Sequence, residues 1–257
     1  MKMVQNKGLP FYQFSHLAQF PDIQHAVFTR NGGESVGAFA SLNTAVSVGD
    51  DPEAVARNRA RIKAAMDGGR LQFARQVHGI DVAVFSKDGN GLSPGDAPEA
   101  DAMITDIPGL DLILQVADCQ AVLLYDPVRR AVANIHSGWR SSVANIIGGT
   151  AAAMAAEFGS DPADMLAGVG PSLGPCCGEF VNYREEIPAP LWNYRTGDHH
   201  FDFWALSRDQ LTASGVREEN IRIGGICTRC RADEFFSYRG EERTGRFAVA
   251  IGLRKNP

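Results

Sequence analysis

The sequence has little of what marks several large protein classes. No apolar run approaches the roughly 20 residues that cross a bilayer, so no membrane-spanning helix is expected. Met1 to Lys7 hold no apolar stretch of the kind a secretory leader carries, and Pro10 interrupts the segment after them, which predicts a cytoplasmic protein. The net charge of −5 is spread without long blocks of one sign. That gives no broad footprint for a nucleic acid polymer, while leaving local anion sites open. Internal repeats and low-complexity linkers are missing too. Five cysteines among 257 residues do not make a disulfide scaffold. What remains is an ordinary apolar share of 44%, enough for a substantial core.

The patterning predicts an α+β (mixed α/β) chain folded as one domain over residues 1–257. Ile23 to Arg30 reads as a strand, with Asn31-Gly32-Gly33 as its turn. Asp51-Pro52 opens a helix to about Met66, with Asp51 as N-cap and Ala54, Val55, Asn58, Ile62 and Ala65 as its buried stripe. Phe73–His78 and Val82–Phe85 read as a strand pair around Gly79, a hairpin or a bent crossover. Residues 86–99 are rich in Gly, Pro and Asp and read as a loop. Asp101–Thr105, Leu110–Ala117, Ala121–Tyr125 and Arg130–Ile135 form the densest strand region. A single Ala-rich helix capped by Ser141 or Ser142 is predicted to run to Phe158. Met165–Gly170, Ile221–Ile226 and Phe247–Leu253 read as further strands, and Asp202 to Ala213 as a helix.

Chemistry concentrates where apolar runs end. Ala117-Asp118-Cys119 follows one run, and His136-Ser137-Gly138-Trp139-Arg140 follows another. A thiol and an imidazole at the ends of neighbouring strands suit a divalent metal or a covalent catalyst. Arg75-Gln76-Val77-His78-Gly79 offers a second imidazole. His78, Cys119 and His136 would together make a catalytic zinc set with an open fourth position. A lone cysteine in an apolar run is ordinarily an inert core residue; the adjacent Asp118 and the two similarly placed histidines argue otherwise here. Cys176-Cys177 with Cys227-Thr228-Arg229-Cys230 invites a four-thiolate zinc reading. Adjacent residues of an extended segment point to opposite faces, however, so the expectation is reduced structural or pocket-lining thiols.

The ordered set of phrases resembles one family. Phe28-Thr29-Arg30, Ser41-Leu42-Asn43, Arg75-Gln76-Val77-His78-Gly79, Ala100 to Thr105, Val116 to Cys119, Ile135 to Arg140, Gly170-Pro171-Ser172, Cys227-Thr228, Ser237-Tyr238-Arg239 and Thr244-Gly245-Arg246 carry the likeness across almost the whole chain. They are similar to the YfiH or multicopper polyphenol oxidase (laccase) family, also called the peptidoglycan-editing-factor or purine nucleoside phosphorylase-like family. The resemblance implies a single catalytic domain, an αββα sandwich with mixed sheets, and a metal site at His78, Cys119 and His136. Ser137 departs mildly from the family's small-residue phrase and leaves all three ligands in place.

The resemblance further implies a zinc-dependent purine nucleoside enzyme with purine nucleosides and phosphate as its partners, and neither nucleic acid polymer nor membrane. Its reactions would be phosphorolysis of adenosine and inosine to base plus ribose 1-phosphate, and hydrolytic deamination of adenosine. Alternatives are a hydrolase releasing misincorporated serine from a peptidoglycan precursor, a copper-dependent polyphenol oxidase, and a non-catalytic metal-binding protein. Zinc is the expected cofactor and Cu2+ the alternative, since imidazole and thiolate suit both. A true multicopper relay needs several histidine-rich centres, and the chain has six histidines in all. The HxE and PCxxC signature of zinc nucleobase deaminases is also missing.

Around the metal set, Asp118 is a proton shuttle or ligand orienter, although strand alternation would turn it away from Cys119. Arg140 precedes a helix and suits phosphate, with Arg30 and Arg75 as further anion-binding candidates. Asn43 suits ribose or base, Trp139 stacking on a purine, Ser172 a substrate loop, and Cys177 the pocket wall. Each has a plainer reading as loop stabilisation, core packing or solvated charge.

Overall fold

A computed structural model describes residues 1–95 and 97–255. Asp96, within the expected 86–99 loop, and residues 256–257 lie outside the described residues. In chain order the elements are β1 (Lys2–Asn6), β2 (Leu9–Gln13), α1 (Ser15–Ala18), β3 (Ile23–Phe28), α2 (Pro52–Ala65), β4 (Arg70–Phe73), β5 (Val82–Phe85), β6 (Ala102–Thr105), β7 (Leu110–Val116), β8 (Gln120–Asp126) and β9 (Ala131–Ser137). They continue with α3 (Trp139–Val143), α4 (Ile146–Phe158), β10 (Leu166–Val169), α5 (Tyr183–Glu186), α6 (Phe203–Ala213), β11 (Ile221–Ile223) and β12 (Phe247–Leu253).

The strands form two six-stranded sheets, ordered β1-β2-β3-β12-β7-β4 and β11-β10-β8-β9-β6-β5. Both are mixed. Their interiors are antiparallel, and the parallel pairs β4·β7, β10·β11 and β5·β6 sit at edges. The expected αββα sandwich is the architecture observed, and the reason is visible along single strands. On β8, Leu123 and Tyr125 pack between the sheets with Leu112 and Leu114 of β7, and with Val249 and Ile251 of β12. Val122 and Leu124 point the other way, under α4 and α6 with Ile147, Met154 and Leu211. On the first sheet, Ile113, Ala248 and Ala250 are covered by Ile62 and Ala65 of α2. A strand covered on both faces reads as a continuous apolar run, which is why β7, β8, β9 and β12 stand out in the sequence.

One polar group crosses the inner layer. Asn134 of β9 donates from Nδ2 to Leu112 O and Val249 O, at 2.9 Å each, and so ties the second sheet to two strands of the first. At the helical end, Asp51 caps α2 by accepting from the N–H groups of Glu53 and Ala54. The buried stripe is the one predicted, and its polar member is explained by its partners. Asn58 donates to Ser35 Oγ, Ser41 O and Asn43 O and accepts from Glu34 N, fastening the loop after β3.

Two expectations are corrected, and one hairpin is new. The helix predicted to run unbroken to Phe158 is two helices, because Asn145 takes a left-handed backbone (φ 58°) and caps α4 by accepting from Gly148 N. A Cβ on Gly148 would sit 2.6 Å from the Asn145 side chain, so that glycine clears the cap. β4 and β5 do not pair as a hairpin; they belong to different sheets, β4 ends at Phe73 rather than His78, and residues 74–81 make the crossover that is the other reading of this segment. The hairpin β1–β2 is not expected from the sequence, since its short segments carry no clean alternation, yet it pairs along all five residues of each strand.

Candidate active site

The site forms where the chain changes sheets. β7 leaves the first sheet at Val116 and β8 enters the second at Gln120, with Asp118 between them in a left-handed conformation (φ 79°). That turn brings Cys119 to the seam. β9 pairs with β8 in a register that sets His136 opposite Ala121, so the imidazole reaches the same end of the sandwich. The third group arrives on the β4–β5 crossover, where His78 also has positive φ (61°).

The ligand atoms of His78, Cys119 and His136 all lie within 4.8 Å of one another. Cys119 Sγ is 3.7 Å from His78 Nε2. Metal–sulfur and metal–nitrogen bonds of zinc length, meeting at a tetrahedral angle, would separate those atoms by about 3.6 Å. Gly138 leaves the room this requires, since a Cβ there would lie 2.7 Å from His78 Cδ2 and 3.3 Å from Cys119 Sγ. The donor set therefore fits a borderline divalent ion.

Asp101, wholly buried just before β6, organises the set. Its Oδ1 accepts from His78 N at 2.9 Å and from His136 Nδ1 at 2.7 Å, and its Oδ2 accepts from Val77 N and Gly79 N. A carboxylate only accepts, so the proton on His136 sits at Nδ1 and the Nε2 lone pair faces the cavity. Burial opposes a charge on Asp101, but these hydrogen bonds and the neighbouring His136 outweigh it and keep the carboxyl below its usual range. Burial likewise opposes a thiolate at Cys119. The charge of His136 and hydrogen bonds from both imidazoles prevail, bringing the thiol down to about 6. His136 answers in kind: burial disfavours its charge, yet Cys119 and Asp101 raise it to about 9.

The three side chains open into a cavity of about 840 Å³, a size suited to a small organic ligand. Five arginines, Arg59, Arg75, Arg140, Arg239 and Arg246, line it, and Asp118 is the carboxylate among the described lining residues. Phe73, Trp139, Phe180, Phe203 and Tyr238 supply ring surface. Arg246 is largely buried; burial lowers its basicity, while the nearby charges of Cys119 and Asp118 support its cation.

The residues singled out from sequence divide cleanly. His78, Cys119, His136, Asp118, Arg75, Trp139 and Arg140 line the cavity. Asp118 does not turn away from Cys119, because residues 117–119 are a turn rather than strand. Its carboxylate accepts from Thr228 Oγ1 and from Arg239 N, both at 2.6 Å, pinning two loops of the cavity wall. Arg75 pairs with exposed Glu99, and Arg140 lies over the Trp139 ring at 4.4 Å.

Arg30, Asn43, Ser172 and Cys177 lie elsewhere. Arg30 is spent on Ala40 O, Ala232 O and Glu241. Buried Asn43 is spent on Ala45, Asp50 and Arg246 N. Ser172 Oγ accepts from Trp204 Nε1, and Cys177 joins a separate thiol cluster. Sequence reasoning gives no role to Asp101, Tyr238, Arg239 or Arg246, although each stands in a family-like phrase. Arg59 and Phe180 carry no signal, since a helix arginine and a loop phenylalanine read as surface and packing.

The family described as multi-copper polyphenol oxidoreductase laccase matches residues 24–254. The chain is 34% identical over 244 residues to the purine nucleoside phosphorylase YlmD of Geobacillus stearothermophilus, covering 88% of this chain and 89% of that protein. It is 34% identical over 258 residues to a purine nucleoside phosphorylase of Bacteroides thetaiotaomicron, covering 94% of this chain and 96% of the relative. The crystal structure of the hypothetical protein YfiH from Bacillus licheniformis superposes with a TM-score of 0.86 at 29% identity, covering 97% of each chain.

Proposed function

From the premise that the chain belongs to the multi-copper polyphenol oxidoreductase laccase family, whose relatives include proteins named purine nucleoside phosphorylases, we propose that it is a zinc-dependent purine nucleoside enzyme. It cleaves adenosine and inosine with phosphate and deaminates adenosine. The observation that carries this reading is the His78–Cys119–His136 set opening into a cavity lined by five arginines and several aromatic rings. A bare metal site would serve many hydrolyses. Phosphorolysis also needs a cationic surface for the attacking phosphate and ring faces for the departing base.

His78, Cys119 and His136 would hold the ion, with Asp101 fixing the orientation of two of the three. A divalent ion bound there supplies Lewis acidity and lowers the pKa of water. In phosphorolysis an oxygen of phosphate bonds to the anomeric carbon of ribose as the bond from that carbon to the purine nitrogen breaks. The base leaves with a proton, and ribose 1-phosphate forms. Arg246 lines the cavity within electrostatic reach of Cys119 and Asp118, and in this reading it would hold phosphate beside the metal set. Arg140, braced on Trp139, presents its guanidinium to the same cavity. Trp139 and Phe180 meet edge to face at 6.2 Å and offer a wall against which a purine can lie. In deamination, water replaces the amino group on the purine ring and ammonia departs.

Product analysis under anaerobic conditions tests the proposal. Metal-replete protein should convert inosine and phosphate to hypoxanthine and ribose 1-phosphate, and adenosine to adenine or inosine. Folded, metal-replete protein with neither activity would overturn it. Free ribose in place of ribose 1-phosphate would replace phosphorolysis with hydrolysis.

A further inference from the structure

A second cluster of metal-binding side chains lies outside the cavity lining. Cys176, Cys177, Cys227 and Cys230 bring their sulfur atoms within 4.8 Å of one another. Sγ of Cys230 is 3.6 Å from the Sγ of both Cys176 and Cys177. A disulfide bond is about 2.05 Å long, so these thiols are not bonded. Four sulfurs around one zinc ion, each about 2.3 Å from it, stand about 3.8 Å apart. We propose that these four cysteines bind a second, structural zinc ion through four thiolates.

An extended backbone at Cys176-Cys177 would point the two thiols apart, but the backbone there is a tight turn. N–H groups of Cys177 and Gly178 both donate to Gly174 O, at 2.9 and 2.8 Å, and the curl puts adjacent thiols on one side. Cys227 and Cys230 have the two-residue spacing common in zinc sites, closed by Arg231 N donating to Cys227 O at 3.0 Å. Cys176 and Cys230 are exposed. An ion can therefore reach the cluster from solvent. Binding displaces the thiol protons to solvent, and four sulfur ligands leave no open position, so the ion is structural rather than catalytic.

The ion would clamp two loops of the active-site wall. One carries Leu173 and Gly178, and the other runs on to Tyr238 and Arg239, all of which line the cavity. Thr228, between two of the cysteines, donates to Asp118.

The test is made on purified full-length protein prepared under reducing conditions. Cys119→Ala, which breaks only the His/Cys/His set, should keep one equivalent of zinc, and X-ray absorption at the zinc edge should show four sulfur ligands at about 2.3 Å. Cys176→Ser and Cys230→Ser should each lose one equivalent and lower Tm by several degrees. Folded Cys119→Ala protein without zinc, or with nitrogen and oxygen around it, would overturn the proposal. So would a disulfide within the cluster by mass spectrometry, or serine variants with wild-type zinc content. Because the Cys119→Ala measurement needs neither serine variant to fold nor any turnover, it stands apart from the nucleoside reading.

Discussion

Asp101 does more for the site than any residue that points into the cavity. One carboxylate accepts three successive backbone N–H groups, from Val77, His78 and Gly79, and the Nδ1–H of His136. It thus fixes the strained loop that carries one ligand and the ring orientation of another. Asn at this position would place a donor against donors. Asp101→Asn should weaken metal affinity or activity about 10- to 100-fold, read by competition with a chromophoric chelator in protein whose circular dichroism matches wild type. Unchanged affinity would show that backbone and packing alone orient the ligands. Residue type explains why the three ligands are legible in the sequence and this one is not. A histidine or cysteine at the end of an apolar run announces chemistry, whereas a buried aspartate before a strand announces nothing until its partners are seen. The converse error is Asn43, whose polar side chain looks available in the sequence and is entirely consumed by Ala45, Asp50 and Arg246.

At the scale of elements, strands covered on both faces are the most legible. β12 falls at the boundaries its apolar run predicts, and α2 has the expected cap and buried stripe. What sequence could not supply is the change of sheet at residues 74–81 and 117–119. Pairing partners are set by the packed whole, and both crossovers depend on left-handed residues, His78 and Asp118, that are not glycine. The same strand β7 carries an internal liability at its other end. Asp111 is wholly buried, with Oδ1 accepting from Gln24 Nε2 at 2.8 Å and, among the described residues, no partner for Oδ2. Gly69 and Gly252 make the room it occupies, since a Cβ on either would lie 2.3 or 2.2 Å from its oxygens. Burial foremost raises its pKa from 3.8 to about 7, Asp67 adding to the rise while Gln24 and Arg254 oppose it. Between those values the folded chain holds a proton that the unfolded chain has lost. Stability therefore falls as pH rises from about 4 to about 7 and levels off above, by up to roughly 4 kcal/mol for this group. Asp111→Asn should raise the urea midpoint at pH 8 and leave it nearly unchanged at pH 4. Parallel shifts at both pH values would refute a titrating Asp111.

Over the whole molecule, the two sheets meet at a seam that collects chemistry. The first sheet hands the chain to the second through Cys119, the second offers His136 at its end, and the crossover between them adds His78. Loops from the far half of the chain close the wall with Tyr238, Arg239 and Arg246. Among the described residues no helix is long and apolar enough to cross a membrane. The αββα layering and the metal set are readable from ordered phrases spread along the chain; of the arginine lining only Arg75 and Arg140 are, because Arg59, Arg239 and Arg246 come to the wall from distant parts of the chain.

The central claim is that one ion, held by three side chains, serves the reaction in this cavity. Metal content and nucleoside phosphorolysis, measured together on His78→Ala, Cys119→Ala and His136→Ala, test it most directly. Each folded variant should lose one equivalent of metal and at least about 100-fold in turnover, the order expected when a metal's contribution of several kcal/mol is removed. Wild-type metal content in every folded variant would contradict the shared site, and lost metal with turnover intact would contradict its part in catalysis.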